Sequence, residues 1–273
     1  MAIRVEELRL GDSEAPMRDT WGRAVNDEPS LRSARNLMNA TCEGKAWRSY
    51  VEIAGASPSE PRTSGCQVPS DGMQPVFLER LLVAVEMRRR VAYRRLTVRN
   101  IIARENGVDG YSARALTGWN GDLASIPVKA IFGCRIETTP GGRMAGPPTV
   151  DLRFPKSLRK GERHEFVSLA SDENLGDKRS WINVDVDHHG IAPSVVDGDG
   201  RVIAGLSVSV NFDDCVPDAC WWYAEQNEQE RVVRPPAGDR RLLKIRQGVV
   251  EHTFVESCRP WEEYGIAFCW PPS

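Results

Sequence analysis

The chain has no apolar run long enough to cross a membrane. It also has no apolar stretch near its start of the kind a secretory signal carries, because MAIRVEELRL interleaves charged residues from the outset. A cytoplasmic protein without membrane contact is expected. No CxxC pair occurs, and the seven cysteines (Cys42, Cys66, Cys134, Cys215, Cys220, Cys258, Cys269) are scattered and odd in number, which argues for reduced thiols over a disulfide framework. Histidine is scarce, with His164, His188, His189 and His252 the full set. Neither a GxSxG elbow nor a glycine-rich phosphate loop is found, so no nucleophile-and-base arrangement is legible and no cofactor is expected. Charge of one sign is lacking too: 36 basic residues against 38 acidic ones leave a net charge of -2, with no global pull toward nucleic acid or anionic membrane.

What is present is a hydrophobic content of 41% over 273 residues, enough to fill a sizeable core. Its distribution divides the chain. Residues 1–75 have weak periodicity and many breakers, among them Pro16, Pro29 and the Ser/Pro/Gly-rich run from Ala54 to Gly72, which reads as a linker or long surface loop. One short helix is plausible around Leu31, Ala34, Leu37 and Met38, behind Asp27 and Ser30 as caps. Residues 76–273 read as one β domain. Val76 to Arg104 suits either a helix face (Phe77, Leu78, Leu81, Leu82, Val85) or a strand, and strand is preferred from about Leu82 onward. Beyond it a two-residue period recurs: Tyr111, Ala113, Ala115, Thr117 and Trp119; Val150, Leu152 and Phe154 before a stop at Pro155; His164 and Phe166 after a turn at Lys160-Gly161; Leu206, Val208, Val210 and Phe212; Val250, His252 and Phe254; and Tyr264, Ile266, Phe268 and Trp270. Short strands split by Gly, Pro, Asn and Asp, without long amphipathic helices between them, predict a mainly β fold. The expected form is an antiparallel β-sandwich with a short, partly helical or irregular N-terminal extension.

The segments FPKSLRKGERHEF (Phe154 to Phe166), LSVSVNFDDCVPDACWW (Leu206 to Trp222) and VVEHTFVESCRPWEEYGIAFCW (Val249 to Trp270) together resemble a β-rich C-terminal region of uncharacterised actinobacterial proteins, one often found behind a Cro/C1-type helix-turn-helix. The resemblance covers about the last 120 residues and implies a sensory or protein-interaction module with no catalytic residues to carry over. Where relatives would carry DNA-reading helices this chain has its breaker-rich stretch, so DNA binding is not implied by position.

Three clusters carry candidate chemistry. NVDVDHHG supplies Asp185, Asp187, His188 and His189, oxygen and nitrogen donors of the kind a divalent metal takes, and points to a phosphoesterase-like metal-dependent hydrolase. The letters match those of the DHH phosphoesterases, but the upstream DxD of that family is missing. On a strand, moreover, Asp185 and Asp187 face away from His188. Nearby VVDGDGR opens like a calcium loop yet has Val208 where the bidentate glutamate should stand, so a hairpin turn is the better reading. Second, Arg88, Arg89, Arg90, Arg94, Arg95, Arg99 and Arg104 run without an acidic residue among them, with Tyr93 inside the run; this strip suits single-stranded nucleic acid or the solvated face of a long strand. Third, Trp221, Trp222 and Tyr223 put large rings on both faces of one strand, so something other than the nearer sheet must cover one of them, and they are candidates for an interaction surface. Scattered Cys215, Cys220, Cys258 and His252 have poor zinc spacing and read as interior residues. The favoured function is that of a non-enzymatic cytoplasmic binding or regulatory protein. Its partner would be another protein or a second copy of itself, with nucleic acid a second candidate.

Overall fold

A computed structural model describes residues 74–114, 128–137, 149–171, 178–186, 190–198, 202–212, 214–225, 229–260 and 262–271, and two short strands before them. Those two, β1 (Ile3–Arg4) and β2 (Glu52–Ile53), pair antiparallel with each other. Then come β3 (Val76–Arg88), β4 (Val91–Ala103), β5 (Val108–Arg114), β6 (Val128–Phe132), β7 (Arg135–Glu137), β8 (Thr149–Leu158), β9 (Arg163–Ser171) and β10 (Trp181–Asp185). They are followed by β11 (Val195–Val196), β12 (Val202–Phe212), β13 (Ala219–Glu225), a single-turn helix α1 (Gln229–Val232), β14 (Leu242–Leu243), β15 (Val249–Phe254) and β16 (Glu263–Cys269). The protein is therefore mainly β, as the alternation predicts, and its strands are mostly antiparallel. The helix expected around Leu31 to Met38 and the face residues Ala115, Thr117 and Trp119 lie outside the described residues.

Three sheets make two layers. The large sheet runs β11-β12-β3-β4-β9-β6, with β15 also on β12. A four-stranded sheet, β10-β16-β13-β14, and a three-stranded one, β5-β8-β7, pack on the same face of it, here called the inner face. One core joins all three: Leu81, Val83, Val85, Leu206, Val208 and Val210 from the large sheet meet Ile182, Ile266 and Phe268 on one side and Tyr111, Leu152 and Phe154 on the other. Ring contacts pin the layers, with Phe212 edge-on to Phe268 at 5.4 Å and Tyr111 tilted on Phe166 at 5.4 Å.

Between Val76 and Arg104 the structure resolves the helix-or-strand ambiguity entirely in favour of strand. β3 and β4 form a long hairpin turned by Arg89 and Arg90, whose φ angles of +48° and +70° are those of a two-residue type I′ turn occupied by arginines in place of the usual Asn-Gly. The Asp214 carboxylate holds that turn by accepting from the Arg89 amide at 2.8 Å. Helical spacing arose because Leu81 to Met87 is buried on both faces, and a strand at the centre of a sheet reads as a continuous apolar run without alternation. β12 is likewise a central strand, with Ser207 and Ser209 buried, and not the half-exposed one its alternation suggests. Its pairing with β3 is parallel, the exception in an otherwise antiparallel ladder. Pro155 does not stop β8, which continues to Leu158. The register against β5 shifts between Val108 and Gly110, and such an irregularity is where a strand tolerates a residue with no N–H to donate.

Candidate ligand site on the inner face of the large sheet

The arginine strip is not one surface. Two-residue alternation sends Arg95, Thr97 and Arg99 to the inner face, while Arg94 lies on the outer face, and Arg89 and Arg90 make the turn. The side chains of Arg88, Arg90, Arg94 and Arg95 are engaged inside the chain. Arg88 and Arg94 stack on Tyr93 at 3.8 and 4.3 Å from the ring centroid, and both face the Glu86 carboxylate. Arg90 donates to the Pro271 carbonyl at 3.0 Å and lies over Trp270. Arg95 reaches across to donate to the Asn183 carbonyl of β10 at 2.5 Å. The pleat that forms the strands thus distributes these arginines over both faces and the turn.

Of the DVDHH segment, the backbone of Asp185 ends β10 opposite Glu263, while Asp187, His188 and His189 lie outside the described residues. Among the described residues no group of three His, Cys, Asp or Glu side chains stands together as metal donors. At the VVDGDG stretch, Val195–Val196 form β11 and pair antiparallel with β12, while Asp199 and Gly200 lie outside the described residues.

Trp221 to Tyr223 are closed within the chain. Trp222 faces inward and stacks on His252 at 4.9 Å with an interplanar angle of 2°. Trp221 and Tyr223, 2% and 0% exposed, face the other way and pack with Trp181, Ala267 and Leu242. The cover expected for this face comes from residues 229–243. Trp221 donates from its indole N–H to the Glu230 carbonyl at 2.8 Å, and Arg231 lies over the Trp181 ring while paired with Glu225 (3.0 Å) and Glu263 (2.5 Å). Glu225 also accepts from the amides of Glu230 and Arg231, capping the first turn of α1. As an exposed interaction surface these rings are spent, and the physical reason is this local strap.

What remains on the inner face is Arg99. Its guanidinium sits 5.3 and 5.8 Å from the ring centroids of Tyr111 and Phe166 and donates from Nη1 to Ser168 Oγ at 3.1 Å. Cys134 lies close by, its Sγ donating to the Val167 carbonyl at 3.7 Å; burial pushes this thiol up to about 12, against the lowering pull of Arg99. Next along β9 from Phe166, His164 has Nε2 at 2.6 Å from the Gly133 carbonyl, which makes Nε2 the protonated nitrogen, and burial holds its pKa below the usual histidine value. That carbonyl can approach because residue 133 is glycine: φ is +67°, and an added Cβ would lie 2.1 Å from the Glu165 carbonyl oxygen.

The electrostatic contrast with other arginines is informative. Arg80, Arg153 and Arg231 each face a carboxylate within the chain: Glu165 for the first, Asp109 and Glu137 for the second, Glu225 and Glu263 for the third. Arg99 faces none among the described residues; its partners are two rings and a hydroxyl. A planar, permanently charged fork with donors to spare, set in partly desolvated surroundings, suits a carboxylate in bidentate geometry. Ser168, Tyr111 and Cys134 were not singled out by the sequence as parts of a site. The parity of Arg95, Thr97 and Arg99 along β4 was the one signal that could have separated inner from outer arginines.

Among the described residues the histidines and buried cysteines are engaged or held protonated. His164 spends Nε2 on a carbonyl, His252 is stacked on Trp222, and burial pushes the thiols of Cys134, Cys220 and Cys258 each up to about 12. No family model matches the chain, and no curated protein does. Among solved structures it is similar to a two-domain M1 zinc metallopeptidase E323A mutant bound to L-tryptophan, with 13% identity and a TM-score of 0.35, and to the M1 zinc metallopeptidase from Deinococcus radiodurans, with 13% identity and a TM-score of 0.33. In both cases 71% of this chain aligns with 43% of the other, so it spans less than half the length of these neighbours.

Proposed function

We propose that the chain is a cytoplasmic, non-enzymatic binding protein of regulatory type whose partner is another protein, and that a carboxylate of that partner is received by Arg99. The observation that supports this reading is the Arg99 guanidinium itself, held between Tyr111 and Phe166 and hydrogen-bonded to Ser168 without a carboxylate among the described residues. A half-buried charge held between two rings without an opposite charge leaves donors free for a ligand that supplies one. A binding role is also consistent with the state of the neighbouring Cys134, a buried thiol, and His164, engaged with a carbonyl.

The test is a titration of the full chain with N-acetyl-triglutamate amide, following the arginine Nε–H resonances by NMR, with N-acetyl-triglutamine amide as the uncharged control. A saturable displacement of the Arg99 signal by the acidic peptide alone, lost in Arg99→Gln and kept in Arg159→Gln, is the expected result. Equal responses to both peptides, or an Arg99 signal that moves no further than that of exposed Arg159, would overturn the assignment.

A further inference from the structure

The large sheet is apolar on both faces, but its two layers account for only one. On the outer face the register aligns Leu82 with Val98 and Val167, and Ala84 with Leu96 and Leu169, with Ser207 and Ser209 alongside Leu82 and Ala84. These eight side chains form a continuous patch, and none is more than 3% exposed. They belong to neither described core cluster, and the three- and four-stranded sheets pack on the opposite face. The patch is framed by charge: Arg80, Glu165 and Asn100 joined at one end, Glu86 with Arg88 and Arg94 at the other. Ser209 Oγ and Glu86 Oε2 are buried there without a hydrogen-bond partner. An apolar sheet face of this extent needs a second layer.

We infer that this outer face is the docking surface for the chain's own segment ahead of β3, residues 1–73. Three observations favour that occupant. The segment is tethered to the strand that carries Leu82 and Ala84, and the tether is pinned: Gln74 exchanges hydrogen bonds of 2.8 Å with both the amide and the carbonyl of Ser112, and the Pro75 carbonyl accepts from Arg104 at 2.8 Å. A covalent tether gives the segment an effective concentration on the order of millimolar at the patch, which a second copy or a separate protein must outcompete. The segment also has apolar residues to offer, including Leu31, Leu37, Met38, Trp47, Val51 and Ile53, whereas the internal stretch 138–148 is dominated by Gly, Pro and Thr, and the stretch 115–127, with Leu116, Trp119, Leu123 and Ile126, is short and tied at both ends to β5 and β6. Finally, the rings of Trp221 and Tyr223, the other surface that needed cover, already have it from residues 229–243, which leaves the segment available for this face. The inference is independent of the Arg99 reading.

The experiment places a site-specific protease sequence in the Ser/Pro/Gly-rich run, between Ser59 and Glu60, and cuts the purified full-length protein after folding. The fragment 1–59 is expected to co-elute with the β domain at one-to-one stoichiometry in native buffer. Location is read with Val98→Cys, which keeps the patch apolar. The introduced thiol, followed by alkylation and peptide mapping, should be shielded while the fragment is retained and reactive once mild urea has stripped it. A fragment that leaves in native buffer would overturn the inference, whether the β domain then dimerises, pointing to a second copy, or stays monomeric. So would a retained fragment with the introduced thiol unshielded, because the fragment would then be docked elsewhere.

Discussion

Replacing His252 by phenylalanine should remove a specific part of the protein's acid sensitivity. The imidazole is parallel to Trp222 at 4.9 Å and edge-on to Phe254 at 4.6 Å, so its surroundings favour the neutral ring. Burial lowers its pKa from 6.5 to about 4. In the unfolded chain the same imidazole takes up a proton near pH 6.5, so between the two values the unfolded state binds more protons and stability falls as the pH falls. The stabilisation is fully present above pH 6.5 and is lost progressively down to about pH 4. At one pK unit per 1.36 kcal/mol, the loss from this residue alone is about 2 kcal/mol by pH 5 and about 3 kcal/mol at the limit. Phenylalanine keeps the stack and cannot titrate. Denaturant unfolding at pH 7.5 and pH 5.0 should show the wild type losing about 2 kcal/mol more than His252→Phe across that interval. His164 shifts in the same direction, so the variant keeps a residual slope. Parallel stability curves for the two proteins would show that His252 is solvated, and would refute the stacked, neutral ring.

Gly265 sits across from Tyr223, and a Cβ there would lie 1.9 Å from the Ile182 carbonyl and 2.8 Å from the tyrosine ring, so Gly265→Ala should cost about 3 kcal/mol or more of unfolding free energy in a denaturant titration. Glu225→Ala removes both the cap on α1 and a partner of buried Arg231; thermal melts should fall, and indole fluorescence should report loosening around Trp181 and Trp221. On the outer face, Glu165→Ala strands buried Arg80 and should cost about 3 kcal/mol, while the double change Arg80→Met/Glu165→Leu should recover most of it, as a double-mutant cycle in urea would read.

Much of this architecture was legible from the residues. Alternation at Leu206 to Phe212, Val250 to Phe254 and Tyr264 to Trp270 marks strands β12, β15 and β16, because each carries its apolar set on the inner face. Alternation failed where burial is two-sided: β3 resembled a helix because Leu82 and Ala84 are as buried as Leu81 and Val83. Pro155 misled for a different reason, since a proline stops a strand only where its missing N–H would have been used. The site was less legible. Seven arginines close in sequence looked like one feature, and only the pleat and the hairpin turn show that Arg99 and Arg94 face opposite ways. Tyr111, Cys134 and Ser168 come to Arg99 from three different strands or loops, and no spacing in the chain encodes that convergence.

The distinction between the arginines has a consequence for what variation each can tolerate. Arg80 is held by three elements at once, through the Val202 carbonyl, the Asn100 side chain and the Glu165 carboxylate, so its fork geometry is specified from within and a lysine could not reproduce it. Arg231 is specified in the same manner by two carboxylates and the Trp181 ring. Arg99 is positioned by ring faces and one hydroxyl, contacts that fix where the guanidinium lies but leave its charge unanswered among the described residues. Folding alone therefore accounts for an arginine at 80 and at 231. At 99 an uncharged residue that fills the space between Tyr111 and Phe166 would serve the fold as well or better, and under the proposed binding role the charge answers a ligand carboxylate. On that reasoning Arg99→Met should leave the unfolding free energy unchanged or raised in denaturant titrations while abolishing the response to the acidic peptide, separating a charge kept for a ligand from a charge kept for the core.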